Sequence, residues 1–172
     1  MAAPRAEVWA AWTEAAQVEC WCAEHALVEP APGGRWQLWG RHTLGAPAIA
    51  EPADRVLEIE ATSLLRYSWL LEGCPTEVSL RVERQGQQGA GRTTVTVRHQ
   101  LSRPLPHPRP VELIDDYWRL SLGNLTAYLA GGSGIVRPDF ADPNPEIRLS
   151  IQVDAPPEAV FEALLDPEAL RQ

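Results

Sequence analysis

RPVELIDDYWRLSLGNLTAYLA, residues 109–130, is the stretch that decides the fold of this chain. Apolar residues recur in it at steps of three and four, which predicts one long helix with a continuous apolar stripe: Val111, Ile114, Trp118, Leu122, Leu125 and Leu129. Pro110 suits the first turn of such a helix, and Gly131 follows its last turn, where glycine commonly ends helices. A stripe of this length requires a second layer of structure to cover it.

Two neighbouring acidic residues, Asp115 and Asp116, lie early in this helix. A carboxylate pair for acid–base chemistry is one interpretation, but adjacent residues of a helix point about 100° apart. Together with Glu112 they place negative charge near the positive end of the helix dipole. We expect that dipole stabilisation accounts for them.

The covering layer is predicted ahead of the helix, where several segments alternate apolar and polar residues. The last segment is the clearest strand, with Val95, Val97, His99 and Leu101 on one face. Gly45 weakens the third segment. The predicted strands cover residues 26–28, 35–41, 42–50, 55–61, 64–71, 76–84 and 92–101.

Residues 4–21 predict two short helices with a break near Thr13, whose hydroxyl could cap the second helix. Trp21 is expected to close the core beneath them. Two helices, an antiparallel meander and one long helix make an α+β fold with helices on one face of the sheet.

Composition excludes several classes of partner. A hydrophobic content of 45% with seven Trp is ample for a packed core, and a net charge of −8 without a basic cluster argues against nucleic acid and anionic membranes. No apolar run is long enough to span a bilayer, and no signal peptide is recognisable. Three cysteines suit a reducing compartment. We therefore expect a cytoplasmic protein.

Motifs for catalysis or cofactors are weak. Cys20, Cys22 and His25 form C-x-C-x-x-H, a poor match to zinc spacing without a second pair. The sequence contains no phosphate loop, dinucleotide fingerprint or nucleophile elbow. We therefore predict no catalytic residue, metal or cofactor, and favour a non-catalytic protein.

The end of the chain repeats its beginning. Residues 155–172 resemble residues 3–20 at a constant offset of 152, and Ala3, Pro4 and Val8 recur identically. Internal similarity of this kind indicates a tandem copy. We interpret residues 1–132 as a domain, 133–145 as a linker, and 146–172 as the first strand and opening helices of a truncated second copy.

Residues 147–153 alternate Ile147, Leu149, Ile151 and Val153 with polar residues, which predicts an amphipathic strand. The first copy shows no equivalent strand before its helices. The segment could complete the sheet of the first domain, and strand-mediated self-association is a further hypothesis. The helix that follows would then compete with residues 8–12 for one site. The alternative is a tail that does not pack.

Several motifs resemble one family in order along the whole chain. They are A-P-P-E-x-V-F-x-A-L-x-D-P-E-x-L at 155–170, P-G-G-R-W at 32–36, Y-S-W at 67–69, T-E-V at 76–78, and Trp118 with Asn124 and Leu125. The chain resembles the helix-grip superfamily of START, polyketide-cyclase and birch-pollen-allergen proteins (SRPBCC). Its motifs look most like the branch named after the activator of heat-shock-protein ATPase. The resemblance implies a curved antiparallel sheet wrapped around a long C-terminal helix.

The resemblance also implies an apolar cavity between the sheet and the long helix. Alternation in the strands predicts that five residues face three residues of the helix across it, and these eight would bind the ligand: Trp36, Tyr67, Trp69, Val97 and His99 facing Trp118, Leu122 and Leu125. The alternative is a core that these large rings fill. His99 could orient a ligand carbonyl or act as acid or base, but a histidine on an apolar face is more often a core residue with its hydrogen bonds satisfied.

Three functions remain open. The first is non-catalytic binding of a small hydrophobic molecule in that cavity. The second, implied by the family branch alone, is a co-chaperone-like module of the bacterial stress response that binds and stimulates a heat-shock ATPase. The third is a cyclase- or hydrolase-like enzyme, which requires His99 to converge with a tyrosine or an arginine. Fold alone does not decide among them.

Overall fold

The computed structural model describes residues 1–45, 54–84, 92–132, 134–142 and 152–166. Within these ranges helices and strands follow the predicted order. The elements are α1 (Arg5–Thr13), α2 (Ala15–Trp21), β1 (His25–Val28), β2 (Trp36–Trp39), β3 (Val56–Glu60), β4 (Leu64–Leu71), β5 (Cys74–Arg84), β6 (Thr93–Leu101), α3 (Pro110–Leu129) and α4 (Pro157–Leu165).

The strands β3, β4, β5 and β6 form one antiparallel sheet in that order. β1 and β2 form an antiparallel pair, which an isolated bridge between Arg35 and Arg55 joins to the start of β3. A curved antiparallel sheet with a long helix on one face confirms the predicted α+β helix-grip fold.

Alternation in β5 produces its two faces. Thr76, Val78, Leu80 and Val82 are at most 5% exposed. The intervening residues, such as Ser79, lie on the opposite face of the sheet. β6 follows the same alternation, but its inward residues after the buried Thr93 are only partly buried. The inward face of the sheet is therefore less covered at β6 than at β5.

The long helix was predicted within one residue at each end, but its buried stripe differs from the prediction. Val111 is 67% exposed, so placing it in the stripe was wrong. It lies in the first turn. Leu122 and Leu129 are partly buried. The residues that α3 buries are Ile114, Tyr117, Trp118, Ser121, Asn124 and Leu125.

The break between α1 and α2 lies at Glu14, next to the predicted position. The predicted cap was wrong: Thr13 donates its hydroxyl to the Trp9 carbonyl oxygen (2.9 Å), and the N-cap of α2 is Glu14, whose side chain accepts from Gln17 Nε2 (2.6 Å) and makes no capping hydrogen bond. Trp21 is fully buried, as expected, and its indole N–H donates to the Ala11 carbonyl oxygen (2.9 Å).

Part of the predicted linker lies on the domain instead of leaving it. The side-chain amide of Asn124 exchanges two hydrogen bonds with the backbone of Val136 (2.7 and 2.8 Å). The Phe140 N–H donates to the Arg41 carbonyl oxygen (2.8 Å), and the His42 ring lies 2.9 Å from the Pro138 carbonyl oxygen. The domain therefore continues to about residue 140.

Two predicted strands are not observed as such. Residues 42–45 of the weak third segment contain no strand, and residues 46–50 lie outside the described ranges. For the predicted strand at 147–153, residues 147–151 lie outside those ranges, and Gln152 and Val153 are in no strand. Among the described helices, none is long and apolar enough to cross a membrane.

Candidate functional site

The eight predicted ligand-binding residues come from β2, β4, β6 and α3, and ring contacts join five of them: Trp36 to Tyr67, and Trp69, His99 and Trp118 to one another. Trp36, Tyr67, Trp69, Trp118 and Leu125 are at most 8% exposed. Val97, His99 and Leu122 are partly buried. Whether they bind a ligand stays a prediction.

Aromatic rings occupy much of the space between sheet and helix. Trp36 stacks on Tyr67 with ring centroids 4.6 Å apart. Trp69 stacks on His99 (5.3 Å) and meets Trp118 edge-on (6.0 Å). Stacked and edge-on pairs at these distances are favourable contacts in a packed core. This part of the site therefore has the character of a filled core.

Tyr117 belongs to this cluster and was not among the predicted residues. Its ring packs edge-on against Trp69 (5.4 Å) and Trp118 (5.2 Å), and it is 6% exposed. The available signal was its position three residues after Ile114 and four before Ser121, which places it on the same helix face. The predicted stripe went from Ile114 directly to Trp118 and did not include Tyr117, which the helix also buries.

Hydrogen bonds fix the tautomer of His99. An indole N–H can only donate, so Trp118 Nε1 donates to His99 Nδ1 (3.2 Å). His99 Nε2 must then carry the proton and donate to Thr76 Oγ1 (2.8 Å), whose hydroxyl donates to the Trp69 carbonyl oxygen (2.7 Å). Each donor in this chain of hydrogen bonds therefore has an acceptor, in the order Trp118, His99, Thr76 and the Trp69 carbonyl oxygen.

Burial lowers the pKa of His99 from 6.5 to about 4. A second proton on Nδ1 would also remove the acceptor of the Trp118 N–H. The ring is therefore neutral at pH 7. Its hydrogen-bond partners in the described part of the chain are Thr76 and Trp118 rather than a tyrosine or an arginine, so the convergence that the enzyme hypothesis requires is not observed there.

A second set of buried polar groups lies around Tyr67. The Cys22 thiol lies 3.8 Å from the Tyr117 hydroxyl. Burial raises the pKa of Cys22 to about 11 and holds the pKa values of Tyr67 and Tyr117 well above 10. All three groups are therefore protonated at neutral pH, and Cys22 is not a reactive thiolate.

Two buried donors of this region have no hydrogen-bond partner among the described residues. They are the Tyr67 hydroxyl and Trp36 Nε1, which form no well-aligned hydrogen bond with each other in their stacked arrangement, although the Trp36 N–H is near enough to oppose the rise in the pKa of Tyr67. An unpaired buried donor costs about 1–3 kcal/mol, so each such group calls for an explanation.

The cysteine–histidine motif does not assemble. Cys20 is exposed and donates to the Ala16 carbonyl oxygen (3.2 Å), whereas Cys22 is buried. No group of three His, Cys, Asp or Glu side chains in the described ranges could hold a metal ion.

A polar groove of about 470 Å³ lies on the outer face of the sheet, opposite α3. We call it the outer groove. Arg66 lies at its centre and forms ion pairs with Glu58 (2.9 Å) and Glu77 (2.8 Å). These side chains are about 40% exposed. The charged residues that line the groove are Glu58, Glu60, Arg66, Glu77, Arg81 and Arg98.

A second groove, of about 460 Å³, runs between the first helices and the end of α3, where Ala10, Gln17, Tyr128 and Leu129 line it. None of the eight predicted ligand-binding residues lines either groove.

Comparisons with known proteins agree with the fold. A family model described as Activator of Hsp90 ATPase homolog 1-like protein matches residues 2–130. None of the curated proteins searched gives a significant match. The solution structure of an AHSA1-like protein from Rhizobium etli is 25% identical, with a TM-score of 0.55, and the match covers 90% of this chain and 89% of that one.

Two further solved structures share the fold. DynU16, a protein of the dynemicin biosynthetic locus, is 24% identical with a TM-score of 0.59; the match covers 77% of this chain and 45% of that one. This chain therefore spans less than half of DynU16. A Staphylococcus saprophyticus protein is 17% identical with a TM-score of 0.53, and the match covers 77% and 87% of the two chains.

Proposed function

The chain belongs to the family of activator of Hsp90 ATPase homolog 1-like proteins, and from this premise we propose that it is a non-catalytic module that binds an Hsp90-type ATPase and stimulates ATP hydrolysis. The family includes such activators, and its members also include ligand-binding and cyclase-like proteins. The choice among these rests on where the described residues offer a binding surface.

The outer groove is the observation that carries this proposal. Its lining is charged with both signs, and Arg81 and Arg98 are exposed on it. Ion pairs on a surface stabilise a fold by only about 0–1 kcal/mol, so folding stability does not account for such a cluster. Charges of both signs can match the charges of a protein partner, whereas an apolar small molecule would gain little there.

Charge reversal in the outer groove tests the proposal. The ATPase rate of a purified Hsp90-type chaperone is measured with increasing amounts of the chain. We expect acceleration by the wild type and, for Arg98→Glu, a half-maximal concentration at least about tenfold higher, equivalent to about 1.4 kcal/mol of binding.

Arg119→Glu is the matched control, because Arg119 lies on the exposed face of α3 and pairs with Asp115 there. It should stimulate as the wild type does. A wild-type chain that leaves the ATPase rate unchanged at saturation would rule the proposal out. If Arg98→Glu and Arg119→Glu changed the half-maximal concentration equally, the binding surface would not be the outer groove.

A second candidate function is the binding of a small hydrophobic molecule at the eight predicted residues. One observation favours it: Tyr67 and Trp36 present two unpartnered buried donors next to each other. A carbonyl oxygen of a ligand could accept both hydrogen bonds. Rings occupy the space beneath Trp118. Either α3 or residues 135–140 would therefore have to shift to admit a ligand.

Tyr67→Phe distinguishes an occupied site from a dry one. Native mass spectrometry of the purified chain should show a retained small molecule, which the variant loses. If the site is empty, the variant is instead expected to be more stable by about 1 kcal/mol, because an unpaired buried hydroxyl has been removed. A wild type without an adduct, together with this gain in stability, would exclude ligand binding at Tyr67.

A further inference from the structure

The strand β6 has one backbone edge without a strand partner among the described residues. β5 pairs with β6 along its whole length. On the other side, Met1 and Thr93 exchange two backbone hydrogen bonds (2.8 and 3.0 Å), as an antiparallel pair does. Backbone groups alternate in direction along a strand, so every second residue after Thr93 also turns its N–H and C=O away from β5.

The same residues carry side chains that the sheet leaves partly uncovered. Val95, Val97, His99 and Leu101 are each partly buried, whereas the inward residues of β5 are at most 5% exposed. β5 has a strand on either side, and β6 is covered from one side only. An open edge of this kind is a template for one more strand.

The chain contains a segment with the matching pattern. Residues 147–153 alternate four apolar with three polar residues, and β6 alternates in the same way from Val95 to Leu101, with His99 as one of its four inward residues. Both stretches are seven residues long. At the end of the segment, Val153 is 49% exposed, so its apolar side chain is uncovered in a single chain. We propose that residues 147–153 of a second copy of this chain pair antiparallel with the free edge of β6.

Charge and space select one register. A pairing that places Val153 opposite Thr93 would displace Met1 and set Arg148 against Arg98, and like charges directly opposite are unfavourable. A shift by two residues keeps the apolar side chains facing inward and places Val153 opposite Val95. In that register Ser150 lies opposite Arg98, and Ile147 lies opposite Leu101.

This register also removes the competition between helices that the sequence suggested. The Thr93 hydroxyl donates to the Ala3 carbonyl oxygen (2.7 Å), which holds the start of α1 in place. Because Met1 and Ala3 keep their partners, α1 stays where it is and α4 of the copy needs no position on this domain. Two copies that exchange the segment reciprocally form two equal strand pairs, a closed twofold arrangement.

A second copy, rather than the chain's own segment, agrees with the geometry that is described. Within one chain Gln152 and Val153 belong to no strand, and α4 buries no residue. The proposal does not depend on chaperone binding. It concerns the backbone edge of β6, and Arg98 of the outer groove enters it only in the choice of register.

A disulfide between two different chains tests the register. Thr96 and Gln152 would be directly opposite on the outward face in a non-hydrogen-bonded pair, with Cα atoms about 4.5 Å apart, within the range of a disulfide. Full-length Thr96→Cys and Gln152→Cys chains, each with the exposed Cys20 replaced by Ser, are mixed and mildly oxidised. We expect the mixed dimer to form at least about tenfold faster than with Ser150→Cys as the second chain, whose diagonal distance is about 7–8 Å.

Sedimentation of the unmodified full-length chain provides the second measurement. We expect twice the 19.0 kDa mass of one chain. Leu149→Asp places a charge on the inward face, so this variant should sediment with the mass of one chain. Ser150→Asp places the charge on the outward face, so this variant should still sediment as a dimer. Circular dichroism checks that both variants are folded.

Three results would overturn the inference. They are a wild-type chain that sediments as a monomer at its highest soluble concentration, mixed dimers that form no faster than with the control, and a Thr96→Cys/Gln152→Cys double variant that closes its disulfide within one chain. The last result would show that the occupant is the chain's own segment.

Discussion

Helices α1 and α4 have the same boundaries when the second is shifted back by 152 residues. Each begins after a proline, and each ends at an acidic residue in extended conformation, Glu14 or Asp166. Yet α1 buries Val8, Ala11, Trp12 and Thr13, and α4 buries none of its residues. Local sequence therefore decides that a helix forms, and the strands and long helix that follow α1 decide whether it is buried.

The contacts of Trp12 show what the buried copy gains. Its ring meets Trp21 edge-on (4.8 Å) and lies 6.1 Å from Trp118 of α3. The corresponding residue of α4 is Leu164, which is 61% exposed. The two positions are equivalent in sequence, and they differ in burial: Trp12 is covered by other elements of the domain, and Leu164 is not.

The largest expected effect is at this pair of positions. Trp12→Ala should lower the free energy of unfolding by about 4 kcal/mol, because it opens a cavity among buried rings. Leu164→Ala should lower it by less than about 0.5 kcal/mol. Urea denaturation of dilute protein measures both. A cost above about 1 kcal/mol for Leu164→Ala would show that α4 is packed in solution.

A smaller effect should follow from lowering the pH. Of the two helices, α1 should respond and α4 should not. His99 has a pKa of about 4 in the folded chain, below its ordinary value of 6.5. Between these values the unfolded chain binds a proton that the folded chain does not, so stability is full above about pH 6.5 and falls as pH drops toward 4. Allowing for the partial exposure of the ring, we expect a loss of about 2 kcal/mol.

Asp54 acts in the opposite direction and requires a control. Burial raises its pKa from 3.8 to about 6, so the folded chain binds the extra proton there and gains stability as pH falls through this range. His99→Gln should therefore become more stable between pH 6.5 and 4, while Asp54→Asn should show the loss due to His99 more clearly. Protection from hydrogen exchange, relative to the intrinsic rate at each pH, should decrease in α1 and stay constant in α4; equal changes in both helices would contradict the comparison.

The smallest effect concerns two identical residues, Ala11 and Ala163. Glycine costs a helix about 1 kcal/mol relative to alanine at either position. Ala11→Gly should lower the global free energy of unfolding by at least that amount, because Ala11 is fully buried. Ala163→Gly should leave the global transition unchanged and reduce only the local helix signal in NMR chemical shifts. A shift of the global transition by Ala163→Gly would mean that α4 unfolds together with the domain.

Much of the fold could be predicted because its patterns are local. β4, β5 and β6 alternate and α3 repeats every three to four residues, so their boundaries were found within a few positions. The role of residues 135–140 could not be predicted, because it depends on the amide of Asn124 pairing with the backbone of Val136. No periodicity marks such a contact.

The candidate site shows a similar division. Periodicity identified eight residues, of which five are buried and three are partly buried in the structure. It could not determine whether their rings leave space, since that depends on side-chain rotamers and ring angles. The tautomer of His99 depends on Thr76, which lies 23 residues away in the sequence, and on Trp118 of another element. These relations exist only after the chain has folded.

The stack of His99 on Trp69 has an optical consequence. A protonated imidazole accepts electron density from an excited indole and quenches its fluorescence, whereas a neutral imidazole does so weakly. In the folded chain the ring stays neutral down to about pH 4 and lies 5.3 Å from one indole. Mild acid should therefore leave the fluorescence of Trp69 unchanged, and quenching should begin only as the pH falls toward 4, so Trp69 reports the protonation of His99 inside the folded core.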